Sequence, residues 1–460
     1  MFTIAEILEA TGGKLLQGSG KARVKGVSTD TRTIAKNNLF VAIKGENYDA
    51  HHFLDQALKK GAGAFLVSSS QVKGVGDKAV IVVDDTVKAL GFLARFHRRR
   101  FPGLPLIAIT GSAGKTTTKE MMAAVLKTKL KVHYNKGTEN NHIGVPMTLL
   151  GIKASHQAAI IETGTNHPGE IKWLAFLVEP TVAVFTNIGA SHLAGLGTPL
   201  GVLKEKMSLI DFTSPQGAVV VNADDKLLMR IFKRKLNRKV LGYGVSNKAK
   251  IRASSILGSI KGISFSIGQE RFNLKTPVWG NVSNALAAIA CARMLKLSFA
   301  DIRKGLGRFK PPKGRQVFHK VKGVTVIDDT YNANPVSFKN AVQTLAAMKG
   351  KGRAVLVAAD MLELGARAQD LHREVGKFAA LLGVDALLTC GTFAKFIGEA
   401  ALMAFPKSGP APLVKHFGKQ DEVLGFLKSY LMPGDVVLVK GSRGMRMENI
   451  IQGIITYLKG

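Results

Sequence analysis

The chain is short of the features that mark secreted, membrane-spanning or fibrous proteins. Its 460 residues include only 2 cysteines, Cys291 and Cys390, far apart and without metal-ligand spacing. That excludes a disulfide framework and a thiolate zinc site, and two buried thiols of a reducing cytoplasm are expected. No apolar run is long enough to span a bilayer. There is no low-complexity tract and no internal repeat. The N-terminus carries Glu6 and Glu9 in place of a basic stretch before an apolar one, so a signal peptide is not expected. Acid is scarce as well: Asp+Glu 32 against Lys+Arg 65 leaves a net charge of +33. Such an excess points to anionic partners, namely nucleotides, nucleic acid or acidic lipid. The basic clusters "HRRR" (His97–Arg100) and "FKRKLNRK" (Phe232–Lys239) read as solvated faces. No helix-turn-helix, zinc-finger or RNA-binding signature accompanies them, so no specific nucleic-acid site is expected, and electrostatic contact with an anionic membrane surface stays open.

What is present is alternation of buried strands and helices. The length implies two or three domains. Residues 1–84 read as a small α/β domain. Its first helix starts at a Thr3–Glu6 capping box, buries Ile4, Ile7 and Leu8, and ends at Gly12–Gly13. "RFHRRRFPGLP" punctuates the chain before a second domain, 85–312, whose apolar runs Leu106–Thr110, Ala158–Ile161, Val182–Phe185 and Ala218–Val221 end in polar residues. Continuous apolar strands of that length argue a mostly parallel sheet buried on both faces. "FKPPKGR" (Phe309–Arg315) opens a third, doubly wound domain, 313–460, with strands near Val324–Ile327, Arg353–Ala358, Ala386–Thr389 and Val436–Val439. The expected fold class is thus α/β throughout: a small domain, a central phosphate-loop domain and a Rossmann-like C-terminal domain.

In parallel sheets ligands gather at the carboxyl ends of strands. At the end of Leu106–Thr110 stands "TGSAGKTTT", a phosphate-binding loop shortened by one turn: Gly111 lies three residues before Gly114, and Ile109 occupies the usual first-glycine slot. Gly111 and Gly114 let backbone N–H groups face an anion, and the following helix adds its positive end. Lys115 reaches phosphates, and the Thr116 hydroxyl suits Mg²⁺. Glu162 ends the next strand as a hard carboxylate ligand, and His192 follows another strand end. Each residue alone would more often be an ordinary loop residue. Together they form a metal–phosphate constellation on one sheet edge.

A kinase or ATPase would share that much. "TGSAGKTTTKE", "NNHIGVP" (Asn140–Pro146), "ETGTNHPGEI" (Glu162–Ile171), "TNIGASHL" and "LKEKM" go further and resemble the Mur ligases, whose phosphate loop has the shortened form. "STDTR" (Ser28–Arg32), "VAIKGENYDAHHF" (Val41–Phe53), "VNADD" (Val221–Asp225), "DDTYNANPVSF" (Asp328–Phe338), "ADMLELG" (Ala359–Gly365) and "VKGSRGMRME" (Val439–Glu448) are similar to the branch that adds D-alanyl-D-alanine. The resemblance covers nearly the whole chain. The chain departs from it at His52, Ala113, Gly280 and Ala359.

The resemblance implies a cytoplasmic, monomeric, ATP-dependent amide ligase of peptidoglycan precursor synthesis. ATP would phosphorylate the terminal carboxylate of UDP-MurNAc-tripeptide, and the amine of D-Ala-D-Ala would displace the phosphate. It implies that Gly111, Gly114, Lys115, Thr116 and Thr117 hold the phosphates. Two Mg²⁺ sites would draw on Thr116 and Glu162, and on His192 and Lys206. Lys206 would be carbamylated by CO₂ to gain an anionic oxygen. Asn281 and Asn284 would lie near the adenine, with Arg315, Asp329, Tyr331 and Asn334 near ribose and phosphates. Ser28, Thr29, Asp30, Arg32, Lys44 and Gly45 would take the UDP-sugar. Lys440, Ser442 and Arg443 would meet a peptide carboxylate. Three substrates on three domains imply that the C-terminal domain closes over the ATP site. Two rivals are a folate-polyglutamylating ligase, which the "STDTR" domain argues against, and a nucleic-acid-stimulated NTPase, which only the charge suggests.

Overall fold

The computed structural model of the chain describes residues 1–45, 48–70, 72–234, 236–246, 248–405 and 412–460. Glu46 and Asn47 of the "VAIKGENYDAHHF" segment and Lys235 of the second basic cluster lie outside the described residues.

Three main sheets follow one another. The first orders its strands Lys14–Gln17, Ala79–Val82, Ala64–Val67, Asn38–Val41 and Gly26–Ser28, antiparallel at the first pair and parallel beyond it. The opening helix Ile4–Thr11 has the expected reciprocal capping box at Thr3 and Glu6 and stops at Gly12, φ 67°. The central sheet has seven strands, ordered Ile251–Arg252, Lys239–Gly244, Ala218–Asn222, Val182–Phe185, Leu106–Thr110, Ala158–Glu162 and Val132–Tyr134. Every pairing in it is parallel. Helices cover both faces, which is why the strands read as unbroken apolar runs.

The third sheet orders Val317–Val321, Val324–Asp329, Val436–Lys440, Ala354–Ala359, Ala386–Cys390 and Leu413–Phe417. The chain's last strand is inserted between the first two parallel ones, so Asp329 stands in register with Lys440. A small antiparallel sheet, Ser254–Ser259, Gly262–Ile267 and Glu270–Leu274, was not anticipated. Its signal is the alternation in "GISFSI", where Ile263 and Phe265 are buried and the serines are not.

The "HRRR" cluster is only half the solvated face expected of it: Arg99 and Arg100 are exposed. His97 and Arg98 are buried. His97 Nε2 bonds the Ile152 carbonyl at 2.9 Å, and Arg98 donates to the carbonyls of Phe101 and Val178. Arg99, with Arg95, holds Glu179, and Arg100 holds Glu6. The helix Thr86–Arg99 is amphipathic and wedged between the opening helix and two helices of the central sheet. Its cations therefore meet helix-end carbonyls and carboxylates in place of water. Burial pushes the His97 imidazole below the usual histidine range, so it stays neutral there. Both cysteines are buried and free. Among the described residues no helix is long and apolar enough to cross a membrane.

Candidate active site

The strand Leu106–Thr110 runs into the loop 111–114 and then the helix Lys115–Leu126. Both loop glycines are required. Gly111 has φ 151°, and a Cβ there would sit 1.9 Å from Thr186 Oγ1. Gly114 has φ 81°, and a Cβ there would meet Asn284 Oδ1 at 2.6 Å. The neighbouring strand end pins the loop from below. Ser112 N donates to the Asn187 carbonyl, Ala113 N to Asn187 Oδ1, and Thr186 Oγ1 to the Ala113 carbonyl, at 2.9, 2.9 and 2.6 Å. Ser191 Oγ donates to Ser112 Oγ at 2.9 Å. Thr186, Asn187 and Ser191 were missed as site residues, although their place at a strand end marked them. The Lys115 ammonium bonds the Gly111 carbonyl at 2.8 Å. Burial lowers its pKa, opposed by Glu162 and assisted by the Arg315 charge.

Glu162 is the test of metal fit. One carboxylate oxygen accepts from Thr116 Oγ1 at 3.1 Å and Asn140 Nδ2 at 2.8 Å. The other, Oε2, is buried and has no hydrogen-bond partner among the described residues. Its nearest cation is the Lys119 ammonium at 3.9 Å. An orphaned carboxylate oxygen is costly unless a cation completes it. Thr116 and Glu162 together thus have the hard oxygens that Mg²⁺ takes alongside phosphates. Among the described residues no three His, Cys, Asp or Glu side chains cluster as a self-sufficient metal cage, the pattern of an ion shared with a phosphorylated ligand. Lys119, a second omission, is fully buried and donates to the carbonyls of Asn135 and Gly137 at 2.8 and 2.6 Å. It anchors the turn that carries Asn140.

His192 takes a left-handed backbone, φ 54°, and its Nδ1 bonds the Glu363 carboxylate from the third sheet's "ADMLELG" loop. That bond holds the Glu363 carboxyl below its usual range. Lys206 lies on the helix Pro199–Asp211, buried at 1% exposure, while Lys204 on the same helix is exposed. The intervening Glu205 fixes this rotation by accepting from the backbone N–H groups of Gly169 and Ile171 at 2.8 and 2.7 Å. Burial, and then the Lys115 charge, hold the Lys206 amine well below the usual lysine range. Lys206 stands behind the wall of the cleft and does not line it.

The cleft, about 590 Å³, opens between the central and third sheets. It is lined by Gly114, Lys115, Thr116, Thr117, Glu162, His192, Asn281, Asn284, Arg315, Asp329, Tyr331, Asn334, Lys440, Ser442 and Arg443. Many of its polar wall groups come from segments more than a hundred residues from the loop, and hydrogen bonds link its two walls: Tyr331 Oη to Thr138 Oγ1 at 2.5 Å, Asn334 Nδ2 to the Ser112 carbonyl at 3.1 Å, Ala194 N to the Glu363 carbonyl at 3.0 Å, and His192 to the Glu363 carboxylate. Asn284 Nδ2 donates to Asn281 Oδ1 at 3.0 Å, and the Arg315 guanidinium stacks over the Tyr331 ring at 4.2 Å. Gly280, where the resemblance expects histidine, also lines the cleft.

The peptide-carboxylate group is split. Lys440 is spent: its ammonium bonds Asp329 Oδ2 at 2.7 Å and the Asn332 carbonyl at 2.9 Å, 1% exposed. Ser442 Oγ accepts from Leu362 N. Arg443 is exposed and holds Glu448 at 3.0 Å. The residues expected for the UDP-sugar lie outside the cleft. Ser28 Oγ and Asp30 form a turn closed by an Asp30–Arg32 pair at 2.7 Å. Lys44, with Asp49, His51, His52, Ser68 and Lys73, lines a separate hollow on the first sheet, and Gly45 N donates to the Tyr48 carbonyl beside it. Ser28 pairs with Phe40 in the neighbouring parallel strand, so the Ser28–Arg32 turn and the Lys44–Gly45 segment leave the same edge of the first sheet.

Asn334→Ala tests the bridging of the cleft. It removes both the cap of the helix Pro335–Met348 and the bond to Ser112. The expected cost is about 1 kcal/mol of stability and roughly a tenfold fall in kcat/KM for ATP. Thermal unfolding with steady-state kinetics checks both, and an unchanged kcat/KM would remove the bridge from the site's workings.

Family comparisons agree with this layout. The Mur ligase family catalytic domain matches residues 23–98, the Mur ligase middle domain residues 109–292, and the Mur ligase glutamate ligase domain residues 314–443. A UDP-N-acetylmuramoyl-tripeptide–D-alanyl-D-alanine ligase of Bacillus subtilis is 36% identical over 457 residues, covering 98% of both chains. The Escherichia coli protein of the same name is 35% identical over 460 residues, again covering 98% of both. Among solved structures, MurF from Acinetobacter baumannii superposes with a TM-score of 0.90 at 32% identity, covering 100% of this chain and 99% of that one. MurF ligase from Thermotoga maritima in complex with ADP gives 0.82 at 27% identity, covering 95% and 98%.

Proposed function

The chain belongs to the Mur ligase family, and from that premise we infer that it is an ATP-dependent ligase joining D-alanyl-D-alanine to UDP-MurNAc-tripeptide in peptidoglycan precursor synthesis. The observation that carries this reading is the bridged cleft: a shortened phosphate loop faces the "DDTYNANP" segment, and Asn334 of that segment bonds the loop backbone at Ser112.

A carboxylate is a poor electrophile and its phosphoric anhydride a good one. The terminal carboxylate oxygen of the tripeptide attacks the γ-phosphorus, and ADP leaves. The D-Ala-D-Ala amine then attacks the acyl carbon, loses a proton, and inorganic phosphate departs. Both steps concentrate negative charge, so fixed cations and N–H groups are the main requirement. The loop amides and Lys115 bind the phosphates. Lys115 would exchange its bond to the Gly111 carbonyl for a phosphate oxygen. Thr116 and Glu162 would hold one Mg²⁺, and His192 with a carbamylated Lys206 a second; bound, they neutralise phosphate charge. The neutral state that burial favours at Lys206 is the state that captures CO₂. Asn281 and Asn284 serve the adenine, and Arg315 and Tyr331 the phosphates and ribose. Asp329 is oriented by Lys440 for the ribose. Arg443 remains to meet the peptide carboxylate. The first sheet takes the UDP-sugar through the Ser28–Arg32 turn and Lys44–Gly45. The bonds across the cleft exclude water, which would otherwise hydrolyse the acyl phosphate. The same reading has the enzyme act as a cytoplasmic monomer.

The test is ADP release with each substrate omitted in turn, together with the product mass. Release is expected only with all three substrates, alongside a UDP-MurNAc-pentapeptide. Release that ignores D-Ala-D-Ala, with no pentapeptide formed, would overturn the reading.

A further inference from the structure

We propose that the small antiparallel sheet Ser254–Leu274 docks the enzyme on an anionic lipid surface, through an aliphatic tip set in a basic collar. The first observation is a register shift. Ser254 pairs with Ser266 but Leu257 pairs with Ser264, so the edge strand carries one extra residue. Without that bulge Leu257 would face Ile263, which is 1% exposed and part of the core. With it, Leu257 joins the outward serine row and stands 64% exposed. A bulge re-aims a side chain in this way. Here it turns a leucine away from a core that would have taken it.

The second observation is the turn. Ser259 pairs with Gly262, leaving Ile260 and Lys261 as the two turn residues. Such turns are dominated by Gly, Asn and Asp, yet Ile260 occupies this one at 60% exposure. On the opposite face, the Trp279 ring packs against Gly258, the partner of buried Ile263, and so backs the hairpin from beneath; a Cβ on that glycine would lie 2.6 Å from the ring. Leu257 on the outward face and Ile260 in the turn form the apolar part of an interfacial anchor.

The third observation is charge. Between residues 245 and 279 stand Lys248, Lys250, Arg252, Lys261, Arg271 and Lys275 against a single acid, Glu270; Lys261 lies in the turn and Lys275 follows Leu274, the partner of Ile263, near it, while Lys248, Lys250 and Arg252 precede the hairpin's far end. Glu270 is itself held by Arg303 of a neighbouring helix. Arg271 reaches Ser264 at 3.4 Å and so lies on the outward face, opposite Leu257. Cations around an aliphatic tip are complementary to anionic headgroups over acyl chains. A phosphodiester backbone would use the cations but offer the leucine and isoleucine nothing, which favours lipid over nucleic acid. Pairing has also reduced the alternatives: in the "HRRR" cluster His97 and Arg98 are buried, and Arg99 and Arg100, although exposed, are paired with Glu179 and Glu6.

The experiment is sedimentation of the full chain with vesicles of phosphatidylglycerol and phosphatidylcholine, and of phosphatidylcholine alone, at low and physiological salt. Binding is expected to the anionic vesicles only. Leu257→Ser with Ile260→Ser should weaken it about tenfold and leave ADP formation from soluble substrates unchanged. Both positions are exposed, so the variant should melt with the wild type. Lys261→Glu with Arg271→Glu should abolish binding. Arg234→Glu with Lys239→Glu, basic but off this sheet, should not. Undiminished binding by the Leu257/Ile260 variant, absence of wild-type binding at low salt, or displacement from vesicles only by duplex DNA with equal effect on both proteins would each overturn the proposal.

Discussion

Replacing Lys206 by alanine is expected to lower ligation by roughly a thousandfold, the scale of losing one fixed charge-stabilising group at a reaction centre. Lys204→Ala, two residues away, should stay within about twofold, because positions i and i+2 do not share a helix face. The structure gives that control its force: Lys204 is exposed, Lys206 is 1% exposed, and Glu205 locks the rotation between them. A bare ammonium beside Lys115 and bound Mg²⁺ would repel both, whereas a carbamate would attract them. Added short carboxylates, or excess bicarbonate supplied to wild-type enzyme depleted of CO₂, should restore part of the activity. Stability distinguishes chemistry from unfolding. The buried amine is held well below the lysine range, so it binds a proton more readily once the chain unfolds. This site therefore opposes folding at neutral pH, and its penalty fades as pH rises towards the unfolded lysine value. Alanine relieves that penalty but leaves a cavity, so the melting temperature should change little. A Lys206→Ala variant that keeps full activity without added carboxylate, or a metal-bound structure with a bare ammonium at position 206, would end the carbamate reading.

The second large effect is expected at Lys115. Lys115→Ala should abolish turnover, a fall of at least about a thousandfold, while UDP-MurNAc-tripeptide still binds. The reason is separation: Lys115 bonds Gly111 within the cleft, whereas the Ser28–Arg32 turn and Lys44 belong to the first sheet and lie outside it. Folding should survive, since burial disfavours the ammonium that is removed. Calorimetry measures the UDP-substrate affinity directly. A folded variant that has lost it would show that the two sites are not independent.

How much of this was legible beforehand follows from the range of each interaction. The capping box at Thr3, the glycine stop at Gly12 and the shortened loop before the helix Lys115–Leu126 are set within a few residues, and the sequence by itself determined them. The parallel sheets were equally readable, because strands buried on both faces must be apolar throughout and the polar residue ending each one must sit at the sheet's edge. Glu162 was found that way. The order of the strands was not. Inserting Val436–Lys440 between Val324–Asp329 and Ala354–Ala359 is a long-range packing choice, and it sets Lys440 against Asp329. The His192–Glu363 bond joins residues 171 apart. The burial of Arg98 and the anchoring of a turn by Lys119 likewise depend on which surfaces meet. Periodicity reports which face of an element is apolar, but the partner that covers a polar group is decided only when sheets and helices pack.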